Sequence, residues 1–129
     1  MKFNQPEESA PELYEHGLRH ELGNECPLDL KKAFEYYLEA ARKGHALSCW
    51  RQGFFLEWGR GVKRDLNKAT ECYRLSAEGG CAYAQLRYAQ ILFNNKNTIQ
   101  EAVSWLEKAS SNGLPDALYL LGCCQEKGV

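Results

Sequence analysis

β-Branched residues are scarce in this chain. Val, Ile and Thr occupy only Val62, Val103, Val129, Ile91, Ile99, Thr70 and Thr98, against seventeen Leu and thirteen Ala in 129 residues. Strands favour β-branched side chains, so a sheet protein is disfavoured. Proline is equally sparse, at Pro6, Pro11, Pro27 and Pro115, and its absence from residues 28–114 leaves nothing there to forbid successive helices. Long hydrophobic runs are missing too: the longest uncharged apolar stretch, Ala117 to Cys124, falls far short of the roughly 20 residues that span a bilayer. Neither sign of charge dominates, with 16 Lys+Arg against 17 Asp+Glu and a net charge of -1. Such a balance offers no bulk field to a phosphate backbone, which argues against nucleic acid as a partner. No apolar h-region follows Lys2 in the opening residues, so no secretory signal is expected there. A cytoplasmic placement follows as the expectation, or a lumenal one if the chain is a piece of a longer targeted protein.

What the sequence does contain is a period. Gly17, Gly53 and Ala89 lie 36 apart with Gly122 33 further on; Ala33, Ala69 and Ala102 keep the same steps, as do Gly44, Gly80 and Gly113. Three columns in one register mark an internal repeat. Within residues 30–44, Ala33, Tyr36, Tyr37, Ala40 and Ala41 recur at i, i+3, i+4, i+7 and i+8, the spacing of an amphipathic helix with one packed face. The same pattern recurs at 66–80 and 99–113, each ended by a Gly suited to a left-handed cap. The other half of each unit predicts a second helix, over about 12–23, 46–58, 82–93 and 116–127. A Gly in mid-helix costs about 1 kcal/mol relative to Ala, so its recurrence at 17, 53 and 122 implies a steric purpose, the close crossing of two helices. Each unit is then an antiparallel helix pair, and stacked pairs make an all-α solenoid, a right-handed superhelix of about three and a half repeats. A flexible segment is expected over 1–10, followed by one repeat domain over 11–129 with units of about 11–45, 46–80, 81–114 and an incomplete 115–129.

The second unit carries the most specific pattern: Gly53-x5-Gly59-x-Gly61-Val62-x2-Asp65-x2-Lys68-Ala69-x3-Tyr73-x3-Ala77-x2-Gly80. It resembles the signature of the Sel-one-like repeat (SLR) family, kin of the tetratricopeptide repeats but set apart by the glycine-rich loop. The first unit departs from it with Glu-Cys-Pro-Leu at 25–28, the third with Asn94-Asn95-Lys96-Asn97. Where the family places Leu before the central small residue, this chain has His16, Gln52 and Tyr88, and then Leu121.

The resemblance implies a non-enzymatic protein-interaction scaffold without a cofactor, whose first helix in each unit lines the concave side. Carried over position by position, the partner-facing residues would be Tyr14, Leu18 and Leu22; Leu47, Trp50, Phe54, Glu57 and Trp58; Tyr83, Leu86 and Phe93; and Tyr119. Trp50, Phe54 and Trp58 fall at i, i+4 and i+8, so they share a helix face as an aromatic ridge. If open, that ridge is an apolar groove with an acidic edge at Glu21, Glu57 and Glu126, suited to a partner peptide or helix. If closed, it is core. A rival reading has the incomplete last repeat, around Leu118, Leu121 and Cys124, drive self-association.

Remaining features give less. The cysteine-rich secreted branch of the family, a hydrolase-like alternative, cross-links each repeat through two slots that here hold Ala41, Ala77 and Ser110, and Cys49, Gln85 and Leu118. The six cysteines therefore lack that pairing and read as apolar filler in a reducing compartment. Glu12, His16 and His20 stand four apart on one helix, but no second His completes the motif begun at His20, so a packing or surface role is expected and no metal. Lys and Arg scatter over solvent-facing positions, with Arg60, Lys63 and Arg64 at the loop edge as a place where an acidic partner would touch.

Overall fold

The computed structural model describes residues 8–114. Six α-helices follow one another: α1 (Ala10–Leu22), α2 (Leu30–Arg42), α3 (Ala46–Trp58), α4 (Leu66–Glu78), α5 (Ala82–Leu92) and α6 (Ile99–Ser111), with a 3-10 turn at Lys96–Thr98. Among the described residues there is no strand. Side-chain caps start four of the helices: Ser9, Asp29, His45 and Asp65 each accept from a backbone N–H three residues on. Each helix packs on its chain neighbours, so α1/α2, α3/α4 and α5/α6 are the three stacked pairs of an all-α repeat solenoid. The expected fourth unit, with Tyr119, Glu126, Cys123 and Cys124, lies outside the described residues.

The small-residue columns form the seams. Ala33, Ala69 and Ala102 are fully buried, and a buried Tyr or Leu sits one turn on from each, at Tyr37, Tyr73 and Leu106. A Cβ built on Gly17 would stand 2.6 Å from the Tyr37 ring, and one on Gly53 would stand 2.9 Å from Tyr73. The third unit has Ala89 at the glycine position and the smaller Leu106 at the tyrosine position, both fully buried in one cluster. Volume removed from one helix is returned on its partner, which keeps the pair at interior packing density.

The first two loops share one geometry despite their different sequences. Gly59 and Gly61 take φ of 67° each, while Gly23 and Glu25, 36 positions earlier, take 68° and 64°. The Asp65 N–H to Leu56 carbonyl bond and the Asp29 N–H to His20 carbonyl bond, both 2.9 Å, close the two loops alike. Gly61 has a second reason to lack a side chain: a Cβ there would lie 2.4 Å from the backbone of Leu30, in the helix of the preceding unit. Glu25, at the matching place in the first unit, has its side chain exposed. The third unit replaces the loop with the 3-10 turn, capped by Asn95 Oδ1 accepting from the Asn97 N–H at 2.9 Å.

The column that departs from Leu packs in its own way. His16 and Tyr36 face each other at 5.3 Å in the first unit, and Tyr88 meets Trp105 edge-on at 5.8 Å in the third. Aromatic pairs thus replace an aliphatic contact at that column in the first and third units.

Candidate functional site

Helices α1, α3 and α5 are the first helices of their units, and charged side chains join them in sequence. Tyr37 on α2 donates its hydroxyl to Glu21 Oε1 at 2.6 Å, and Arg51 on α3 pairs with the same carboxylate. One unit on, Tyr73 donates to Glu57 Oε1 at 2.7 Å, and Arg87 pairs with Glu57 through Nη2 and through Nε at 3.1 Å. In both triads the Tyr lies 16 residues beyond the Glu, and the Arg 30 beyond it. A carboxylate taken out of water needs such partners on every lone pair.

Burial favours the neutral form of Glu57, but hydrogen bonds from Arg87 and Tyr73 outweigh it and hold the carboxyl below its ordinary range. Burial first, and the Glu57 carboxylate second, push the Tyr73 phenol well above its ordinary value. Arg51 contributes beyond its ion pair, since its guanidinium carbon lies 5.1 Å from the ring centres of both Trp50 and Phe54.

The acidic edge expected at Glu21 and Glu57 is therefore not an edge. These residues are 8 % and 5 % exposed, and their arginines cover them. In the third unit the whole triad changes character: Phe93 stands where Glu57 does, Leu106 where Tyr73 does, and the register places Leu120 where Arg87 does. Phe93 packs against the buried cluster of Ala89, Ala102, Leu106 and Ala109. Leu120 lies outside the described residues.

Above the second triad lies an open groove of ≈ 470 Å³ between α3 and α5, lined by Trp50, Phe54, Glu57, Trp58, Tyr73, Tyr83, Leu86, Arg87 and Gln90. It gathers six of the residues carried over by the resemblance, namely Trp50, Phe54, Glu57, Trp58, Tyr83 and Leu86, with Glu57 as its floor. The ridge is neither wholly core nor wholly surface. Trp50 is half-buried against the central cluster and stacks on Tyr83 at 5.0 Å, Phe54 is half-buried, and Trp58 and Tyr83 are 64 % and 51 % exposed. The other carried-over residues sit apart from the groove. Tyr14 packs between Tyr37 and His45, Leu18 and Leu47 are half-buried, Leu22 is exposed, and Phe93 belongs to the third unit's core. Tyr119 lies outside the described residues.

The sequence pattern does not single out Arg51 or Arg87, whereas Gln90 falls at one of the concave positions the resemblance implies. The signal was present, because Glu21/Glu57, Tyr37/Tyr73 and Arg51/Arg87 each recur at 36, but only as charges and rings scattered among many. His16 pairs with Glu8 at 2.8 Å, while His20 stacks on Tyr36 at 5.5 Å with Cys26 Sγ 3.4 Å from its Nδ1. Cys26, Cys49, Cys72 and Cys81 are free thiols, of which Cys49 and Cys72 are buried together, Cys49 Sγ donating to the Cys72 carbonyl at 3.2 Å. No described helix is long and apolar enough to cross a membrane.

Comparison with known proteins agrees with this architecture. The chain is 40 % identical over 94 residues to chitin synthase regulatory factor 3 of Schizosaccharomyces pombe, covering 70 % of this chain and 10 % of that one. It is 38 % identical over 141 residues to the DAP3-binding cell death enhancer 1 of Mus musculus, covering 78 % of this chain and 28 % of that one. The chain thus spans less than a third of the length of either relative. Among solved structures, a Sel1 repeat protein from Oxalobacter formigenes superposes with a TM-score of 0.89 at 23 % identity, over 98 % of this chain and 54 % of that one. The protective antigen c5321 of uropathogenic Escherichia coli, with an SLR fold, superposes at 0.84 with 28 % identity, over 93 % of this chain and 26 % of that one. The Sel1 repeat profile matches residues 13–45, 46–81, 82–114 and 115–129, and the chain belongs to the Sel1 repeat family.

Proposed function

We propose that the chain is a non-enzymatic interaction scaffold that takes a partner peptide or helix along the face of α1, α3 and α5. Tyr14, Leu18, Leu22, Leu47, Trp50, Phe54, Glu57, Trp58, Tyr83, Leu86, Phe93 and Tyr119 are its candidate contacts. One observation carries the reading: Trp58 and Tyr83, more than half exposed, flank an open groove floored by a satisfied ion pair. Large exposed aromatics beside a concavity are what a binding surface offers, since they bring much contact area with few rotors to freeze. The names of the relatives, a regulatory factor and a DAP3-binding protein, accord with an adaptor role.

The test is selection from a display library of random peptides on the folded chain and on its Trp58→Ala/Tyr83→Ala variant. Both side chains are more than half exposed and the contact given up is Tyr83's stack on Trp50, so the variant stays folded, which circular dichroism checks. Peptides enriched on the parent and not on the variant support the groove. Equal enrichment on both rejects it.

A further inference from the structure

The carboxylate that lines the groove, that of Glu57, is buried. Glu21 and Glu57 have side chains 7 % exposed, while Arg87 and Arg60 are 35 % and 39 % exposed. The cations also outnumber the acids they serve. Arg51 and Arg60 converge on Glu21, the second at 3.8 Å, and Arg64 donates its Nε to the Glu57 carbonyl at 2.9 Å beside a carboxylate already held by Arg87. Asp65, the next acid along the chain, is engaged in capping α4.

Arg60 is the least satisfied of these cations. Its Nε, like that of Arg51, is buried with no hydrogen-bond partner among the described residues, and its pairing with Glu21, at 3.8 Å, is the looser of the two. Its guanidinium carbon lies 5.4 Å from the ring centre of Phe55 and 5.9 Å from that of Phe54, and Phe54 lines the groove, so Arg60 stands one ring away from it, on the Glu21 side. A surplus guanidinium next to uncharged aromatic walls attracts an anion and repels a cation.

Resting on the groove reading above, we propose that the occupant is an apolar peptide segment that carries an acidic side chain. Its apolar residues lie against Trp50, Trp58 and Tyr83, and its carboxylate is taken up by Arg60. The loop edge and the aromatic ridge are then two parts of one site.

The peptides selected on the parent chain test this directly, because the residues enriched can be counted. Enrichment of aromatic or aliphatic residues together with Asp or Glu at one spacing from them is the expected result. Arg60→Gln removes the acid preference and keeps the apolar one, and Arg60→Lys restores it in part. A synthetic peptide of the selected sequence loses about fivefold in affinity on Arg60→Gln, the size of a partly exposed ion pair. Apolar enrichment without an acid, or with a basic residue instead, overturns the charge assignment and leaves the groove standing. An acid preference that survives Arg60→Gln overturns it as well. No enrichment over the Trp58→Ala/Tyr83→Ala variant means that the groove reading itself has failed, and this inference with it.

Discussion

Gly53 and Tyr73 share one volume: the space a Cβ on Gly53 would fill is held by the Tyr73 ring, 2.9 Å away. The ring is fixed from its other end by its hydroxyl on Glu57 and is only 1 % exposed, so it has little room to yield. Gly53→Ala gains about 1 kcal/mol of helix propensity but overpacks the seam by about 1–3 kcal/mol, a net loss. Adding Tyr73→Leu makes room for the new methyl group. In a double-mutant cycle followed by urea denaturation, the two changes couple favourably with each other. Strict additivity would show that the ring does not confine Gly53.

Arg87 covers the buried Glu57, so Arg87→Leu alone strands a carboxylate and costs about 3 kcal/mol. The third unit shows the alternative, with Ala89, Phe93 and Leu106 in the corresponding places. Gly53→Ala, Glu57→Phe, Tyr73→Leu and Arg87→Leu made together should destabilise less than Arg87→Leu by itself. Chemical denaturation midpoints of the two variants give the answer, and a lower midpoint for the fourfold variant contradicts it.

Glu57 also sets part of the acid sensitivity. Its folded carboxyl lies below the ordinary value, because hydrogen bonds from Arg87 and Tyr73 outweigh burial. A depressed pKa of this kind stabilises fully above the unfolded value of about 4.3, and the gain is lost as pH falls through the folded value. Glu57→Gln should therefore lower stability at pH 7, and the gap to the parent should narrow as pH drops below about 4.3. Denaturation curves measured from pH 7 to pH 3 test this, and a constant gap rules out the linkage.

Glu25 holds φ of 64°, a left-handed conformation that a side chain makes costly by about 1 kcal/mol. Glu25→Gly should raise the melting temperature by a few degrees, the shift expected of roughly 0.5–1 kcal/mol in a domain of this size. Gly61→Ala, at the matching position one unit on, should lower it markedly, because its Cβ would lie 2.4 Å from the Leu30 backbone. Similar responses at the two sites would contradict the geometry described.

The helices and their pairing were legible because they rest on small residues at fixed spacing, Ala33, Ala69 and Ala102 above all, and burial selects those directly. The ridge was legible in part: helical spacing puts Trp50, Phe54 and Trp58 on one face but says nothing of depth, which the neighbouring Tyr83 and the cluster beneath Trp50 decide. Glu57 looked like an exposed acid because the residues that cover it, Tyr73 and Arg87, come from the next two helices. Charge alone does not tell a rim from a floor. Only the shared step of 36 in Glu, Tyr and Arg carried that information.

Each joint between the described units is assembled from three consecutive helices, and its arginine belongs to the unit that follows. The two sets of residues, the ion-latched triads of the first two units and the apolar Phe93 and Leu106 of the third, do not match one another. A unit of the second kind moved into the place of the second repeat would present Phe93 and Leu106 to an arginine with no acid to meet it. Copying the second repeat beside itself, by contrast, reproduces a matched joint, because that unit alone of the three carries both the arginine, Arg51, and the Glu57–Tyr73 pair that the next arginine needs. The grammar of this array thus permits duplication of its second unit alone and penalises other rearrangements, so the order of its units is itself an inherited property.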